Sequence, residues 1–479
     1  MKDVPKIARD GDDSPGGSST PRGGIPSLSR RQFLGLVGAA AGSLALSGCG
    51  SSLPAPAPSR AGEKVQLVYQ DARAEWFLPT VQQMLEQFHE THPNIRVFYT
   101  PEPDSPKDKE EKMLAAMQAG TAPDVFQGCC SWFPIWAQKG YLLDLRSYIQ
   151  ADLDRATLDD WDPAQYRYFF TRDGRQYGLP KYHGALALYY NKDLFDRYHV
   201  DYPDDGWDHD DYLMAMRQLT HDTDRSGQPD LWGSMTYVSW DRIQMHVNGW
   251  GGHLIDPADP TRCMLDKKPA MEALEWLRAR MWDERVMATT LDVEKAWPND
   301  AFAAGRIAMV EDGSWNLKPI LTKAAFHVGV APFPAGPTRK VTLATTDGFA
   351  IYAGTKHPEA AWELVKFLIS KEYGRALAKN GFLQPARASL LDEWTGFVER
   401  EYPNKISHRD LEAFADGHLK GYSVTSEVAA NMAEATRIAT AAWDQILSLG
   451  LAPVTIMKDA CAQIQEAQKG AGGGGSCCG

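Results

Sequence analysis

Several tryptophans of this chain stand beside glycine, proline or polar residues instead of inside apolar runs. The sequence has 15 tryptophans and 18 tyrosines among 479 residues. Trp315 follows a Gly-Ser pair and Trp250 stands between two glycines, a setting that favours loops over core. An aromatic face suits the C–H face of a sugar ring, and Asp, Asn, Gln and Arg side chains bond to its hydroxyl groups. These residue types therefore predict a site for binding a carbohydrate.

One aspartate-rich segment carries oxygen side chains at the spacing of half a calcium loop. Asp222, Asp224, Ser226 and Asp230 occupy positions one, three, five and nine, with glycine at position six. The twelfth position is Gly233, where a calcium loop has a glutamate that binds through both oxygens. An Asx-rich turn accounts for the same residues, so the sequence leaves a bound calcium and a plain turn both open.

Motifs for covalent catalysis or a bound cofactor do not occur in the sequence. It contains no Gly-x-Ser-x-Gly, no metal triad and no Cys-x-x-Cys. Carboxylates are plentiful, which leaves a secreted glycosidase open as an alternative. The seven cysteines are too few and too unevenly placed to indicate a disulfide framework. Cys129 and Cys130 are adjacent and favour packed thiols, whereas Cys263 and Cys461 are isolated.

The first 49 residues have the layout of an export signal. Arg30 and Arg31 precede an apolar run of about 14 residues, too short to cross the hydrocarbon layer as a helix. The paired arginines resemble a twin-arginine signal, with the general export route as the alternative. Leu46 to Cys49 resembles a lipobox, which implies a lipid on Cys49. We expect an exported protein held on the outer face of the cell membrane, or in the periplasm.

The rest of the chain is long enough for two lobes and carries no dense basic stripe. Its net charge of −12 argues against nucleic acid as a partner. Residues 50–63 are rich in Pro, Ala and Ser and predict an extended linker, and residues 469–479 predict a disordered tail. Hydrophobic periodicity then predicts alternating strands and helices, hence a largely parallel sheet with helices on both faces. The strands are expected over 64–70, 95–99 and from 122, and the helices over 77–90 and 109–120.

Motifs along residues 64 to 390 occur in the order found in family 1 extracellular solute-binding proteins. The segment from Met117 to Val125 resembles the family signature, and Leu188 to Phe195 resembles its strand-to-helix unit. The segment from Ala361 to Leu368 resembles a helix that comes late in the sequences of this family. The pattern F-x-x-G-x-x-A-M…G-x-W is matched by Phe302, Gly305, Ala308, Met309, Gly313 and Trp315. The chain thus resembles the maltose-binding-type components of sugar ABC importers.

That resemblance implies a two-lobed α/β fold, each lobe a mostly parallel sheet flanked by helices, with the ligand in the cleft. Lobe one would contain residues 64–182 and 333–388. Lobe two would contain residues 183–332 and 389–468. The chain would cross between them near Lys181 and again near Ala331 to Pro337. It also implies a monomer that passes a sugar to the membrane subunits of an ABC importer.

The resemblance places binding residues at strand ends facing the cleft. Trp315 matches the tryptophan that stacks on the sugar in this family, and core packing is the alternative role for it. For Asp71, the alternative to ligand binding is a role as an N-cap or turn residue. Gly184 stands near where maltose-type relatives have an acidic residue, which argues against maltose itself. A polyamine, peptide, iron or polyol phosphate stays open as the solute. The candidates are Gln70, Asp71, Ser131, Trp132, Tyr182, His183, Trp240, Asn248, Trp250, Trp315, Asp347 and Gly348.

Overall fold

The computed structural model describes residues 64–72, 74–103, 106–129 and 132–469, without the side chains of 106–108 and 132. The predicted export signal, the lipobox, the linker and the glycine-rich tail lie outside these residues, as does Ser131. No helix in the described part of the chain is long and apolar enough to cross a membrane.

The strands form two five-stranded sheets and two short pairs. In chain order they are β1 (Val65–Asp71), β2 (Ile95–Pro101), β3 (Val125–Gly128), β4 (Leu179–Pro180), β5 (Leu186–Asn191), β6 (Trp232–Met235), β7 (Ile255–Asp256), β8 (Asp259–Cys263), β9 (Met287–Ala288), β10 (Ile307–Gly313), β11 (Val328–Ala331), β12 (Thr342–Leu343), β13 (Gly348–Ile351) and β14 (Ser423–Val424).

Helices cover the sheets and supply most of the remaining structure. The α-helices are α1 (Phe77–Thr91), α2 (Pro106–Gln118), α3 (Trp132–Gln138), α4 (Arg146–Asp152), α5 (Arg155–Asp159), α6 (Pro163–Tyr168), α7 (Lys192–Tyr198), α8 (His209–Leu219), α9 (Trp240–Gly249), α10 (Lys268–Arg278), α11 (Pro298–Ala303), α12 (Leu317–Lys323), α13 (Pro358–Leu368), α14 (Lys371–Gly381), α15 (Leu391–Glu401), α16 (His408–Leu419), α17 (Met432–Trp443) and α18 (Met457–Gln468). Single turns of 3-10 helix lie at Ser314–Asn316, Ala388–Leu390 and Val454–Ile456, and π-helical turns at Ala279–Asp283 and Asp444–Ser448.

The first sheet has the order β2-β1-β3-β13-β4 and defines lobe one. Strand β1 pairs in parallel with β2 and β3, and β13 pairs antiparallel with β3 and β4. Apolar residues of α1 at spacings of three and four, such as Val81, Leu85 and Phe88, are buried against this sheet. The predicted β-α-β-α-β start and the α/β fold class are therefore confirmed.

The second sheet has the order β11-β5-β10-β6-β9 and defines lobe two. Its central strands are buried along their whole length, since every residue of β5 and β10 is buried. Two apolar clusters cover the two faces of this sheet. Such complete burial is typical of a strand with helices on both sides of the sheet.

The chain passes between the sheets three times. The first passage joins β4 to β5 across Lys181. Phe333 and Leu343 pack in the core of lobe two, and backbone hydrogen bonds from Ala335 to Trp207 and from Thr338 to Gly249 hold the segment between them there. The second passage, to lobe one, comes after Leu343. The third passage lies between α14 and α15.

A disulfide joins Cys263, at the end of β8, to Cys461 in α18. The isolated positions of these two cysteines in the sequence did not indicate the bond. The two residues are separated by 198 positions, and only the packing of α18 against β8 brings them together. No local spacing rule could have paired them.

Candidate ligand-binding site between the lobes

Trp315 lies where the two lobes meet. It stands in the 3-10 turn that follows β10 and packs against the apolar cores of both lobes. A Cβ atom at Gly313 would lie 1.9 Å from the indole Cζ3, and one at Gly184 would lie 3.0 Å from Cε3. The indole therefore favours glycine at position 313, whereas at position 184 a Cβ would first clash with Thr345 Oγ1, at 2.3 Å. Its side chain keeps partial exposure to solvent, and its role in stacking on a ligand stays a prediction.

A group of polar side chains in lobe two surrounds this tryptophan. The guanidinium carbon of Arg242 lies 5.6 Å from the Trp315 ring centre and 5.0 Å from that of Tyr237. Asp312 is fully buried, and it accepts a hydrogen bond from the Tyr237 hydroxyl at 2.7 Å and one from Asn316 Nδ2 at 2.8 Å. Burial raises the pKa of Asp312, although Arg242 opposes the shift. Our sequence analysis missed these residues.

In lobe one, the carboxylate of Asp71 is buried and paired. It forms an ion pair with Lys181 and accepts hydrogen bonds from the Tyr69 hydroxyl and from the backbone of Ala72. The first helix begins only at Phe77, so Asp71 does not cap it. Asp71 thus ties the end of β1 to the first passage between the lobes, and its contact with a ligand stays a prediction.

Asp347 heads a second chain of polar contacts in lobe one. Gln127 Nε2 donates to Asp347 Oδ1 at 2.7 Å, and Lys109 Nζ donates to Gln127 Oε1 at 2.7 Å. Burial raises the pKa of Asp347, with Lys181 and Lys109 opposing it. Two residues earlier, Thr345 Oγ1 accepts from the backbone of Gly184 at 3.1 Å. This contact places Asp347 close to the junction of the lobes.

Trp240 belongs to the interior of lobe two, and Trp250 packs half-buried against the same core. Trp240 is 6% exposed, donates from Nε1 to the carbonyl of Glu427 at 2.9 Å and packs on Trp443. Trp250 meets the His209 ring edge-on at a centroid distance of 4.6 Å. The nearby glycines suggested loops, but both indoles pack on apolar core. Their proposed contact with a sugar stays untested, and their positions favour a structural role.

The other candidates are spread along the same region. Gln70 is half-buried in β1, and Gly348 begins β13, where a Cβ would lie 2.5 Å from the Phe169 ring. Tyr182 and His183 lie in the first passage, and His183 is 3% exposed. Trp132 is the first residue of α3.

A cavity of roughly 510 Å³ opens between the two lobes. This volume lies in the range of about 300–1,000 Å³ that is common for small-molecule sites. Lobe one contributes residues of α3, α6 and the turn after α6, and lobe two contributes residues of α9 and the segment around β14. Its polar lining includes Arg167, Tyr168, Thr171 and Arg172 on one side, and Gln244, Asn248, His253, Arg339, Ser426 and Glu427 on the other.

Glu427 fixes the wall of this cavity on the lobe-two side. Its Oε1 accepts from Asn248 Nδ2 at 3.0 Å and lies 2.6 Å from His253 Nδ1. Its Oε2 accepts from the backbone N–H groups of Leu254 and Ile255 at 2.6 and 3.0 Å. These hydrogen bonds fix the orientation of the Asn248 and Glu427 side chains in the wall. Asn248 is the sequence candidate that the structure places at this cavity.

The aspartate-rich turn lies on the surface of lobe two. The carboxylate oxygens of Asp222, Asp224 and Asp230 lie within 4.8 Å of one another. They also accept hydrogen bonds inside the turn: Ser226 N donates to Asp222 and Asp224 at 2.9 Å, and Thr223 bonds to Asp230. An Asx-rich turn explains these bonds, and calcium binding here stays a prediction.

The chain is similar to several curated binding proteins. Three binding proteins of Brucella abortus and Brucella suis are 23% identical over 290 residues, which is 57% of this chain and 65% of theirs. The chain therefore spans just under two thirds of the length of these relatives. The maltotriose-binding protein of Pyrococcus abyssi is 24% identical over 331 residues, covering 66% of this chain and 65% of its own.

Among solved structures, the fold matches an ABC substrate-binding protein of Listeria monocytogenes in complex with cycloalternan. The TM-score is 0.73 at 24% identity, over 85% of this chain and 99% of that one. A Mycobacterium tuberculosis protein in complex with glycerophosphocholine matches with a TM-score of 0.68 at 18% identity, over 85% and 98%. The family model of bacterial extracellular solute-binding proteins matches residues 75–375. This match covers more than half of the chain, which belongs to that family.

Proposed function

We propose that this protein captures a carbohydrate of oligosaccharide size between its lobes and delivers it to the membrane subunits of an ABC importer. The observation that carries the proposal is the cavity of roughly 510 Å³ whose wall presents amide, guanidinium and hydroxyl groups from both lobes. Such groups bond to sugar hydroxyls, and Tyr168 and Phe170 in the lining add ring faces. The relatives named for maltotriose and cycloalternan support the same class of ligand.

Capture would use closure of the lobes about their three connections, the usual motion of two-lobed binding proteins. Contacts across the mouth of the cavity support this mechanism. Arg172 Nη1 of lobe one donates to the carbonyl of Ala258 in the β7–β8 hairpin of lobe two at 3.4 Å. Helix α3 of lobe one also contacts α17 of lobe two. A ligand that bonds to both walls would favour this closed arrangement.

The protein would work outside the cell, held by a lipid on Cys49 after export directed by Arg30 and Arg31. The disulfide between Cys263 and Cys461 supports an oxidising compartment. Replacing Cys49 with serine should move the protein from the membrane fraction to the soluble exported fraction. Finding an unmodified mature N-terminus by mass spectrometry would contradict the anchor. Unchanged export after Arg30→Lys and Arg31→Lys would indicate the general route.

A second candidate ligand is a polyol phosphate or its diester. Arg167, Arg172 and Arg339 line the cavity, and guanidinium groups bind phosphate through paired hydrogen bonds. The structural neighbour in complex with glycerophosphocholine supports this alternative. The same fold therefore admits a neutral sugar held by amides or an anion held by arginines.

Isothermal titration of the full chain separates these candidates. We expect maltotriose or a related oligosaccharide to bind with a Kd of about 1 μM or tighter, while glycerophosphocholine binds at least about a hundredfold more weakly. Arg339→Gln should then change sugar affinity only modestly. Binding of glycerophosphocholine alone, lost in Arg339→Gln, would favour the second candidate. Release of smaller sugars during prolonged incubation would instead indicate a hydrolase.

A further inference from the structure

Three side chains that could bind a metal converge at the first passage between the lobes. The ligand atoms of Asp162, His183 and His418 lie within 4.8 Å of one another. Asp162 Oδ2 is 2.6 Å from His418 Nδ1 and 3.5 Å from His183 Nε2. None of the three lines the cavity between the lobes. The cluster is thus separate from the proposed sugar site.

His183 is buried in this cluster, and its two ring nitrogens form no hydrogen bond within the described residues. The residue is 3% exposed, and neither Nδ1 nor Nε2 has a hydrogen-bond partner in the described part of the chain. Buried imidazole nitrogens normally find a partner, because an unmade hydrogen bond costs about 1–3 kcal/mol. The Nε2 atom lies 3.5 Å from Asp162 Oδ2 but does not form a hydrogen bond with it. A metal ion between them would use both groups.

We propose that Asp162, His183 and His418 bind one Zn²⁺ ion through Oδ2, Nε2 and Nδ1. Two imidazoles and one carboxylate form a common ligand set for zinc, with water in the fourth position. Zinc–ligand bonds of about 2.1 Å in a tetrahedron place ligand atoms about 3.4 Å apart. The 3.5 Å between Asp162 Oδ2 and His183 Nε2 is close to that value, whereas the 2.6 Å to His418 Nδ1 is a direct hydrogen bond that a bound ion would replace, with the two atoms moving apart.

Contacts around the cluster hold two of the ligands in position. Asp162 caps α6 through Oδ1, which accepts from Gln165 N at 2.7 Å, so that Oδ2, bonded to His418 Nδ1 at 2.6 Å, is the oxygen that faces both histidines. The backbone of His183 is held from two sides: its N–H donates to Gln384 O at 2.9 Å, and its carbonyl accepts from Ser314 Oγ at 3.1 Å. Support of this kind raises metal affinity by fixing ligand orientation.

The three ligands come from different parts of the fold. Asp162 starts α6 of lobe one, His183 lies in the passage between the lobes, and His418 lies in the last turn of α16, which packs on strands of lobe two. A bound ion would therefore connect the two lobes through the passage that joins them. Zinc would stabilise the present arrangement of the lobes as well as the fold.

Zinc titration of the full chain at about pH 7.5 tests this site, with free thiols blocked and excess calcium present to occupy the aspartate-rich turn. We expect one Zn²⁺ per chain at a Kd of about 1 μM or tighter and a higher melting temperature. Co²⁺ should give a spectrum of nitrogen and oxygen coordination without thiolate charge transfer. No zinc binding by the folded wild-type protein would overturn the proposal.

Three variants locate the ion. His418→Ala removes a partly exposed ligand, and Asp162→Asn removes the charge while asparagine still caps the helix. Each should weaken Zn²⁺ binding at least about tenfold. His408→Ala, at the exposed start of the same helix, is the matched control and should bind as wild type does. Binding that is unchanged in both ligand variants would place the ion elsewhere and contradict the assignment.

Discussion

Lys181 and Asp71 form an ion pair that is closed to solvent, with side chains 3% and 0% exposed. Asp71 is the last residue of β1, and Lys181 is the first residue after β4. The pair fixes the start of the first passage between the lobes to the edge of the lobe-one sheet. Lys181 Nζ also lies 4.8 Å from the centre of the Phe77 ring, so the ammonium group contacts an aromatic side chain as well.

Replacing Lys181 with methionine should destabilise the fold strongly. The variant leaves the Asp71 carboxylate buried without its cation, which typically costs about 3–5 kcal/mol of unfolding free energy. Urea unfolding measures the change. Lys323→Met, which breaks an exposed ion pair with Asp300, is the control and should cost at most about 0.5 kcal/mol. Equal losses in the two variants would show that the buried pair is not important for stability.

Removing the disulfide should lower stability without changing the fold. The bond closes a loop of 198 residues, and it restricts the unfolded chain accordingly. We expect Cys263→Ala with Cys461→Ala to cost about 3–5 kcal/mol, measured by urea unfolding under oxidising conditions. A reducing agent should lower the wild-type stability to that of the variant and leave the variant unchanged. A wild-type protein insensitive to reduction would contradict this prediction.

His209 should make the protein less stable in acid. Burial, together with the nearby His246, lowers the pKa of His209 to about 3. The unfolded side chain takes up a proton near pH 6.5, so the unfolded state binds more protons below that pH. Stability contributed by the neutral ring is therefore present above about pH 6.5 and is lost progressively down to about pH 3.

We expect this residue to account for about 2 kcal/mol of stability lost between about pH 7.5 and pH 5. His209→Gln should reduce that loss in urea unfolding at the two pH values, whatever its effect at neutral pH. His327→Gln replaces an exposed histidine and should keep the wild-type pH dependence. If His209→Gln also keeps it, another group is responsible.

Trp315 does not line the cavity, but we expect a bound oligosaccharide to extend to the exposed part of its indole. Trp315→Ala should then weaken sugar binding by at least about tenfold, because a buried aromatic contact contributes on the order of 1–3 kcal/mol. Trp315→Phe should recover part of the affinity. Since the indole packs on both lobes but stays partly exposed, melting of the ligand-free variant should show a smaller loss than the about 3–5 kcal/mol of a fully buried tryptophan. Wild-type affinity in Trp315→Ala would remove this residue from the site.

The sequence predicted the parts of the fold that follow from local patterns. Alternating and helical periodicity located β1, α1 and β2. The residues of the site come from distant segments, as Arg167 and Glu427, which both line the cavity, show. Their neighbours in sequence do not reveal which lobe surface they face. Trp240 illustrates the converse, because a polar neighbourhood along the chain surrounds an indole that is buried in three dimensions.

Binding between the lobes is tested most directly by a substitution that fills the cavity without removing a polar contact. Ala164 in α6 lines the cavity and is half-buried. Ala164→Trp should weaken binding of the sugar at least about tenfold in isothermal titration. Ala119→Trp adds the same side chain at an exposed position in lobe one and should bind as wild type does. Undiminished affinity in a folded Ala164→Trp protein would contradict the placement of the ligand in this cavity.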